Sequence, residues 1–394
     1  MNASTDSPDA DDLTQTQYDG TSTHKYVERR LEALVNQTIP PAGKAGGNPS
    51  IKLKRRQNNA GCTFFINSLS GALESVLGET KVSYSWPGQD SSEAWRFTVV
   101  VLLLCALKEA VRSGLEISTR DIYYGNPELF ESQGVVNRYI EDIALTIGVE
   151  RSDLNVEAAA KGLVAGCYQL ISADGRIVNE FESKKECLIP RVQDIAEIDI
   201  SDVKWVLILE KEAIFRRLVQ SNFHIYSAAG KGILITGKGY PDIRTRAFLR
   251  KVYENILPSE PPHFYALVDG DPDGMSIMST YKYGSMAHTR QNGRLNVPSL
   301  RWLGLRVSEV IEGLGSMGDE ALIPLTQRDR LKIHQRLARN PVWAGDGPEL
   351  EWRVELQRML ILNVKAETEV LYNRNGGLEG WIEGEMGCSE LSAT

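Results

Sequence analysis

Apolar positions keep helical spacing in the first half of the chain and switch to short strand-like runs in the second. Between His24 and Ile39 the residues Val27, Leu31, Leu34 and Val35 fall on one face and predict an amphipathic helix. The preceding residues 1–23 are rich in Ser, Thr and Asp with almost no apolar content, which predicts a disordered acidic tail. A Pro- and Gly-rich stretch (IPPAGKAGGNPS) follows the helix, so residues 24–89 are expected to be an N-terminal helix and linker. From Asp90 a long helix should run to Gly114, with Asp90 or Ser91 as its cap. Ser118 and Asp121 make an S-x-x-D capping box that opens a short helix from Thr119 to Tyr124. Asn126-Pro127 then looks like a cap with Pro in the first turn, opening a third helix through about Ile147. With the mixed segment KGLVAGCYQLI after them, these helices predict a helix-turn-helix carrying a β wing over residues 90–194.

After about residue 195 the runs WVLILE, GILIT and HFYALVD alternate with the helical segments KEAIFRRLVQ and TRAFLRKVYENI. This alternation predicts a parallel sheet covered by helices, making the whole a multidomain α/β protein whose second part spans residues 195–394. In such sheets functional groups collect at the carboxyl ends of the strands. Those ends carry acids here: Glu210 closes the first run, and Asp269 and Asp271 close the third.

Composition narrows the function classes. No apolar stretch approaches the roughly 20 residues of a membrane span, and the polar, acidic N-terminus is not a secretory signal. The five cysteines are scattered and never spaced C-x-x-C, and the five histidines form no H-x-x-H pattern. They read as packing residues in a reducing compartment, with no transition-metal ligand set. The net charge of −8 is concentrated at the two ends, leaving +3 over residues 24–343. That middle is mildly basic, with a local cluster at Lys52, Lys54, Arg55 and Arg56 that suits either a solvated stretch or a DNA-contacting arm.

A glutamate at one strand end and a D-x-D at another can surround a hard cation with oxygen donors, as magnesium prefers. An isolated D-x-D more often caps its own backbone; the separate strand bearing Glu210 is what raises the metal reading. The segments VLILEKEAIF, LITGKGYPDIRTR and ALVDGDPDGMSIMSTYKYGS resemble the Toprim domain of the topoisomerase VI A-subunit family. The resemblance extends upstream through RDIYYGNPELF and AAAKGLVAG, covering roughly residues 90–310. The acidic tail and the insertion around DGRIVNEFESKKECLIPRVQD favour the family's eukaryotic branch, which makes meiotic double-strand breaks. It implies a winged-helix domain bearing a nucleophilic tyrosine, followed by a Rossmann-like Toprim sheet.

The family pattern Arg-Asp-aliphatic-aromatic-Tyr maps its nucleophile to Tyr124, with Tyr123 left to packing. Arg120, four residues earlier on the same helical face, is placed to meet the scissile phosphate. The resemblance also implies Mg2+ on Glu210, Asp269 and Asp271, and DNA contacts by Lys238, Tyr240, Arg244 and Arg246. Asp273 stands where relatives often carry an aromatic or His, and suits a solvated loop residue better than an extra metal ligand. The expected activity is attack on duplex DNA that leaves a 5′-phosphotyrosyl link and a 3′-hydroxyl. One tyrosine cuts one strand, so a homodimer is required, and the resemblance implies that each site pairs one protomer's tyrosine with the other's metal acids. Gly232 to Gly239 fits G-x-x-x-x-G-K but lacks the final Ser/Thr and has strand-like residues between its glycines. Gly313, Gly315 and Gly318 fit G-x-G-x-x-G but follow a helical stretch. ATP use is therefore expected only through a partner, a topoisomerase VI B-like subunit docked on the face of Val27, Leu31, Leu34 and Val35 unless that face packs on the chain itself. Accessory break-forming proteins and a chromosome-associated, nuclear location complete the expectation. Three other readings compete with it: a topoisomerase VI A-type protein that reseals its breaks, a Toprim metal-dependent nuclease without a covalent step, and a catalytically silent DNA-binding module.

Overall fold

A computed structural model describes residues 20–38, 48–56, 63–76, 79–157, 160–179, 185–256, 261–286, 289–312, 321–374 and 376–391. The expected disordered tail lies outside the described residues apart from its last four, which begin the first helix, and the G-x-G-x-x-G stretch lies outside them too. The described residues form two compact units, one drawn from 1–58 and 78–159 and the other from 59–77 and 160–394.

The first unit packs helices on a two-stranded ribbon. Helix α1 (Gly20–Thr38) turns Val27, Leu31 and Leu34 inward, at 0%, 0% and 4% exposure, onto α2 (Ser91–Ser113) and its neighbours. The face expected to receive a separate subunit is therefore spent on this unit's own core. Residues 24–89 are not a helix plus linker either, because Ser50–Arg56 pairs antiparallel with Glu79–Ser85 over all seven residues. The basic cluster lies on that ribbon, where alternation buries Ile51 and Leu53 and exposes Lys52.

Both ends of α2 are built as its sequence dictates: Asp90 accepts from Glu93 N, and Gly114 takes the left-handed conformation at φ 68°. Helix α3 (Thr119–Gly125) carries the reciprocal Ser118/Asp121 capping box. The third helix differs from expectation. It breaks into α4 (Pro127–Phe130) and α5 (Gln133–Ile147), because Glu131 adopts φ 58° and Ser132 caps a new start. Asn126 makes no side-chain cap.

The expected wing belongs to the second unit. Leu163–Gly166 pairs antiparallel with Gly232–Thr236, inside a six-stranded sheet. The sheet order is Cys187–Leu188, Leu163–Gly166, Gly232–Thr236, Trp205–Leu209, His263–Leu267, Arg301–Gly304, and the last four run parallel. Alternate residues feed two opposite cores, which is why the runs read as continuously apolar. Val206, Ile208, Ile233 and Ile235 meet α8 (Ile243–Glu254) and α9 (Pro272–Lys282). Trp205, Leu207, Leu209 and Leu234 meet α6 (Glu212–Gln220), α7 (Phe223–Tyr226) and the C-terminal helix Gly377–Leu391. Gln169–Ser172 joins a smaller antiparallel sheet, and the hairpin Thr63–Ile66/Leu73–Val76 also packs in this unit. Among the described residues no helix is long and apolar enough to cross a membrane.

Candidate functional site

The carboxylates meet where two parallel strands end side by side. Glu210 follows Trp205–Leu209, and its Oε2 accepts from Asp269 N at 2.9 Å, just past His263–Leu267. Asp269 is buried. Its Oδ1 accepts from Thr368 N at 2.8 Å and Thr368 Oγ1 at 2.9 Å, and its Oδ2 lies 3.1 Å from Lys211 Nζ. Asp271 caps α9: its Oδ1 accepts from Asp273 N at 2.9 Å and Gly274 N at 2.7 Å, while Lys365 Nζ stands 4.0 Å from Oδ2. Gly274 is there for space, since a Cβ would sit 2.4 Å from Asp269 O and 2.9 Å from Glu210 Oε2.

Burial, then the charge of Asp269, pushes the Glu210 carboxyl up to about 8. Burial also raises Asp269, against Lys211, and raises Asp271, where the Asp273 charge adds to it. Glu210 therefore keeps its proton near neutral pH in the absence of a further counter-charge, and the oxygen donors of the three acids suit a hard divalent cation. Among the described residues, however, no three His, Cys, Asp or Glu side chains are already gathered at metal-holding spacing. Lys211, Lys365 and Thr368 satisfy oxygens that a cation would share. Asp273 is not a free loop acid: it forms an ion pair with Lys332 and accepts from Tyr240 Oη at 3.4 Å.

In the first unit, Tyr124 is 58% exposed, whereas Tyr123 is half-buried against the core. The two rings pack edge to face, 5.2 Å apart, and the exposed Arg120 guanidinium lies 5.6 Å from the Tyr124 ring centre. The capped helix thus presents one phenol and one cation on the same surface.

The basic residues expected near DNA divide. Lys238 sits in a loop held by Gly239 N on Glu210 O, and pairs with Glu212 at 3.1 Å. Tyr240 is 45% exposed and receives Arg336 Nη2 at 3.3 Å. Arg244 is half-buried in the first turn of α8. Arg246 is a correction: it is 2% exposed and donates to Asn292 Oδ1 at 3.1 Å, and burial lowers its guanidinium to about 10. It is a core residue, out of reach of a phosphate. Arg336, which no sequence signal marks, instead lines a pocket of about 700 Å³ with Tyr240, Ser276, Ser279, Thr280 and Arg339. Lys211 and Lys365 are equally unmarked, although Lys211 directly follows Glu210.

Residues 205–377 match the family model for the Toprim domain of the topoisomerase 6 A-subunit/Spo11 proteins. Residues 95–156, which contain α3, match the model described as type IIB DNA topoisomerase. The human meiotic recombination protein SPO11 is 37% identical over 280 residues, 71% of this chain and 67% of its own length. The meiotic recombination protein rec12 of Schizosaccharomyces pombe is 33% identical over 373 residues, 93% of this chain and 96% of its own. The DNA topoisomerase 6 A-subunit of Arabidopsis thaliana is 29% identical over 288 residues, 72% of this chain and 64% of its own. The four-stranded parallel core ending in Glu210 and Asp269 is accordingly a Toprim domain, and the chain belongs to the topoisomerase 6 A-subunit/Spo11 family.

Proposed function

We propose that this protein starts meiotic recombination by cutting duplex DNA through a transesterification in which Tyr124 is the nucleophile. The observation that carries the reading is the pair of adjacent tyrosines on a rigidly capped helix, one packed and one presented beside Arg120. Tyr124 Oη attacks a backbone phosphorus, the bond to the 3′-oxygen breaks, and the leaving oxygen takes a proton as the phenol loses one. The product is a 5′-phosphotyrosyl link. An ordinary phenol has a pKa near 10, so reaching phenolate at neutral pH costs about 4 kcal/mol, which a neighbouring cation such as Arg120 offsets.

Glu210, Asp269 and Asp271 would hold Mg2+, which supplies charge neutralisation at the reacting phosphate. Toprim strand ends support this assignment, as does the Glu210 carboxyl, raised by burial and then by the charges of Asp269 and Asp271. The three helices α2, α3 and α5 with the ribbon of Ser50–Arg56 and Glu79–Ser85 serve as the winged-helix element. Lys238, Tyr240, Arg244 and the newly recognised Arg336 contact DNA phosphates and sugars. Two protomers act together in the nucleus, on chromosomes, with accessory break-forming proteins and a topoisomerase VI B-like subunit. The B-like partner must dock elsewhere than the buried face of α1.

The meiotic reading is favoured over a resealing topoisomerase by the higher identity to the meiotic proteins. Incubating the assembled protein with end-labelled duplex and Mg2+ tests the reaction class. Label retained on protein at 5′ ends supports transesterification; free 5′-phosphates would establish a hydrolytic nuclease and contradict it.

A further inference from the structure

We propose that Lys211 is the internal counter-ion of the carboxylate site and is handed to Glu367 and Glu369 when a divalent cation enters. This rests on the reading of Glu210, Asp269 and Asp271 as metal ligands. Lys211 Nζ lies 3.1 Å from Asp269 Oδ2 and 3.2 Å from Glu367 Oε2, with Glu369 Oε2 closer still at 2.5 Å. One ammonium thus bridges the buried acid and two half-exposed acids from a segment 156 and 158 residues further along the chain.

That segment is fixed against the site. Ala366 N donates to Gly270 O at 3.1 Å, and Thr368 donates twice to Asp269 Oδ1. Glu367 and Glu369 therefore flank Thr368 on a backbone already anchored to Asp269, so their approach to Lys211 is built in.

A divalent ion held by Asp269 would repel the Lys211 ammonium, which lies 3.1 Å from that same carboxylate, more strongly than the one ion pair returns. Lys211 must leave Asp269, but it keeps its other two partners and needs only a small side-chain movement. Its charge stays beside the site, replacing the loss of one contact with continued neutralisation of the surrounding acids. Without Glu367 and Glu369 the lysine would have Asp269 alone, and the cation would have to displace it outright. Lys211 is in this sense a positioning residue, and the C-terminal acids are its alternative seat.

The test is calorimetric titration of Mn2+ into the full chain at fixed pH and low salt, in a double-mutant cycle. Lys211→Met should tighten Mn2+ about fivefold, and Glu367→Gln/Glu369→Gln should weaken it about fivefold, coupling of ordinary size. In the Lys211→Met background the same two glutamine substitutions should change affinity by less than about twofold. Equal weakening with and without Lys211 would mean that the acids act on the ion directly, and would overturn the proposal. Unchanged or weaker binding by Lys211→Met would overturn it as well. If wild type itself takes up no Mn2+, the metal reading fails first, a result distinct from either. Thermal melting without metal checks folding, and Lys211→Gln, expected to shift affinity in the same direction, replaces Lys211→Met if that variant is unfolded.

Discussion

At Glu210 one buried carboxyl ties the protein's stability to pH. Its folded-state value of about 8 lies above the ordinary glutamate range, so the folded protein keeps a proton that the unfolded chain has released. Metal-free stability should therefore fall as pH rises from about 4.5 to 8, by roughly 2–4 kcal/mol once coupling to Asp269 is allowed for. Glu210→Gln should flatten that part of the melting-temperature profile and raise the melting point most above pH 8. An unchanged profile would show that the carboxyl is not held protonated. At Gly274 the limit is steric: Gly274→Ala puts a methyl against Asp269 O and Glu210, and should cost about 1–3 kcal/mol while weakening cation uptake. For Arg336 the readout is electrostatic. Arg336→Gln should lower the slope of log affinity for duplex DNA against log salt by about 1, whereas Arg246→Gln should act through stability. Glu210, Asp269 and Asp271 can be found in the sequence because strand ends mark where a parallel sheet places its chemistry. Thr368 and Arg336 cannot, since their partners lie 99 and 60 residues away and no local spacing announces them.

Elements are legible where their determinants are local. Asp90, Gly114 and the Ser118/Asp121 box define helix ends through contacts within four residues, and each does so in the structure. Ser118→Ala removes the acceptor for Asp121 N and should cost about 1 kcal/mol. It should also loosen α3, so covalent DNA capture should fall more than stability alone explains. Asn126-Pro127 misleads because Pro allows a helix start without enforcing its continuation, and the left-handed Glu131 ends the turn at once. Leu163–Gly166 reads as part of a wing because its true partner, Gly232–Thr236, lies some seventy residues downstream. Strand pairing at that range leaves no periodic mark.

At the scale of the molecule, the first unit's core explains why the α1 face is closed to partners. Val27 and Leu31 are fully buried, so Leu31→Ala should destabilise that unit by about 2–5 kcal/mol. Capture of the proposed B-like partner should survive in whatever fraction remains folded. The acidic composition likewise misdescribes the whole, because its charge is concentrated in segments flanking a mildly basic middle. The central claim, that Tyr124 forms the covalent bond to DNA, is tested most directly by comparing two hydroxyl deletions in the assembled complex. Tyr124→Phe and Tyr123→Phe are both nearly isosteric, and both should leave melting and DNA binding close to wild type. Counting tyrosine-linked 5′ ends, the account predicts none for Tyr124→Phe and near-normal numbers for Tyr123→Phe; linked ends from Tyr124→Phe and their loss in Tyr123→Phe would contradict it.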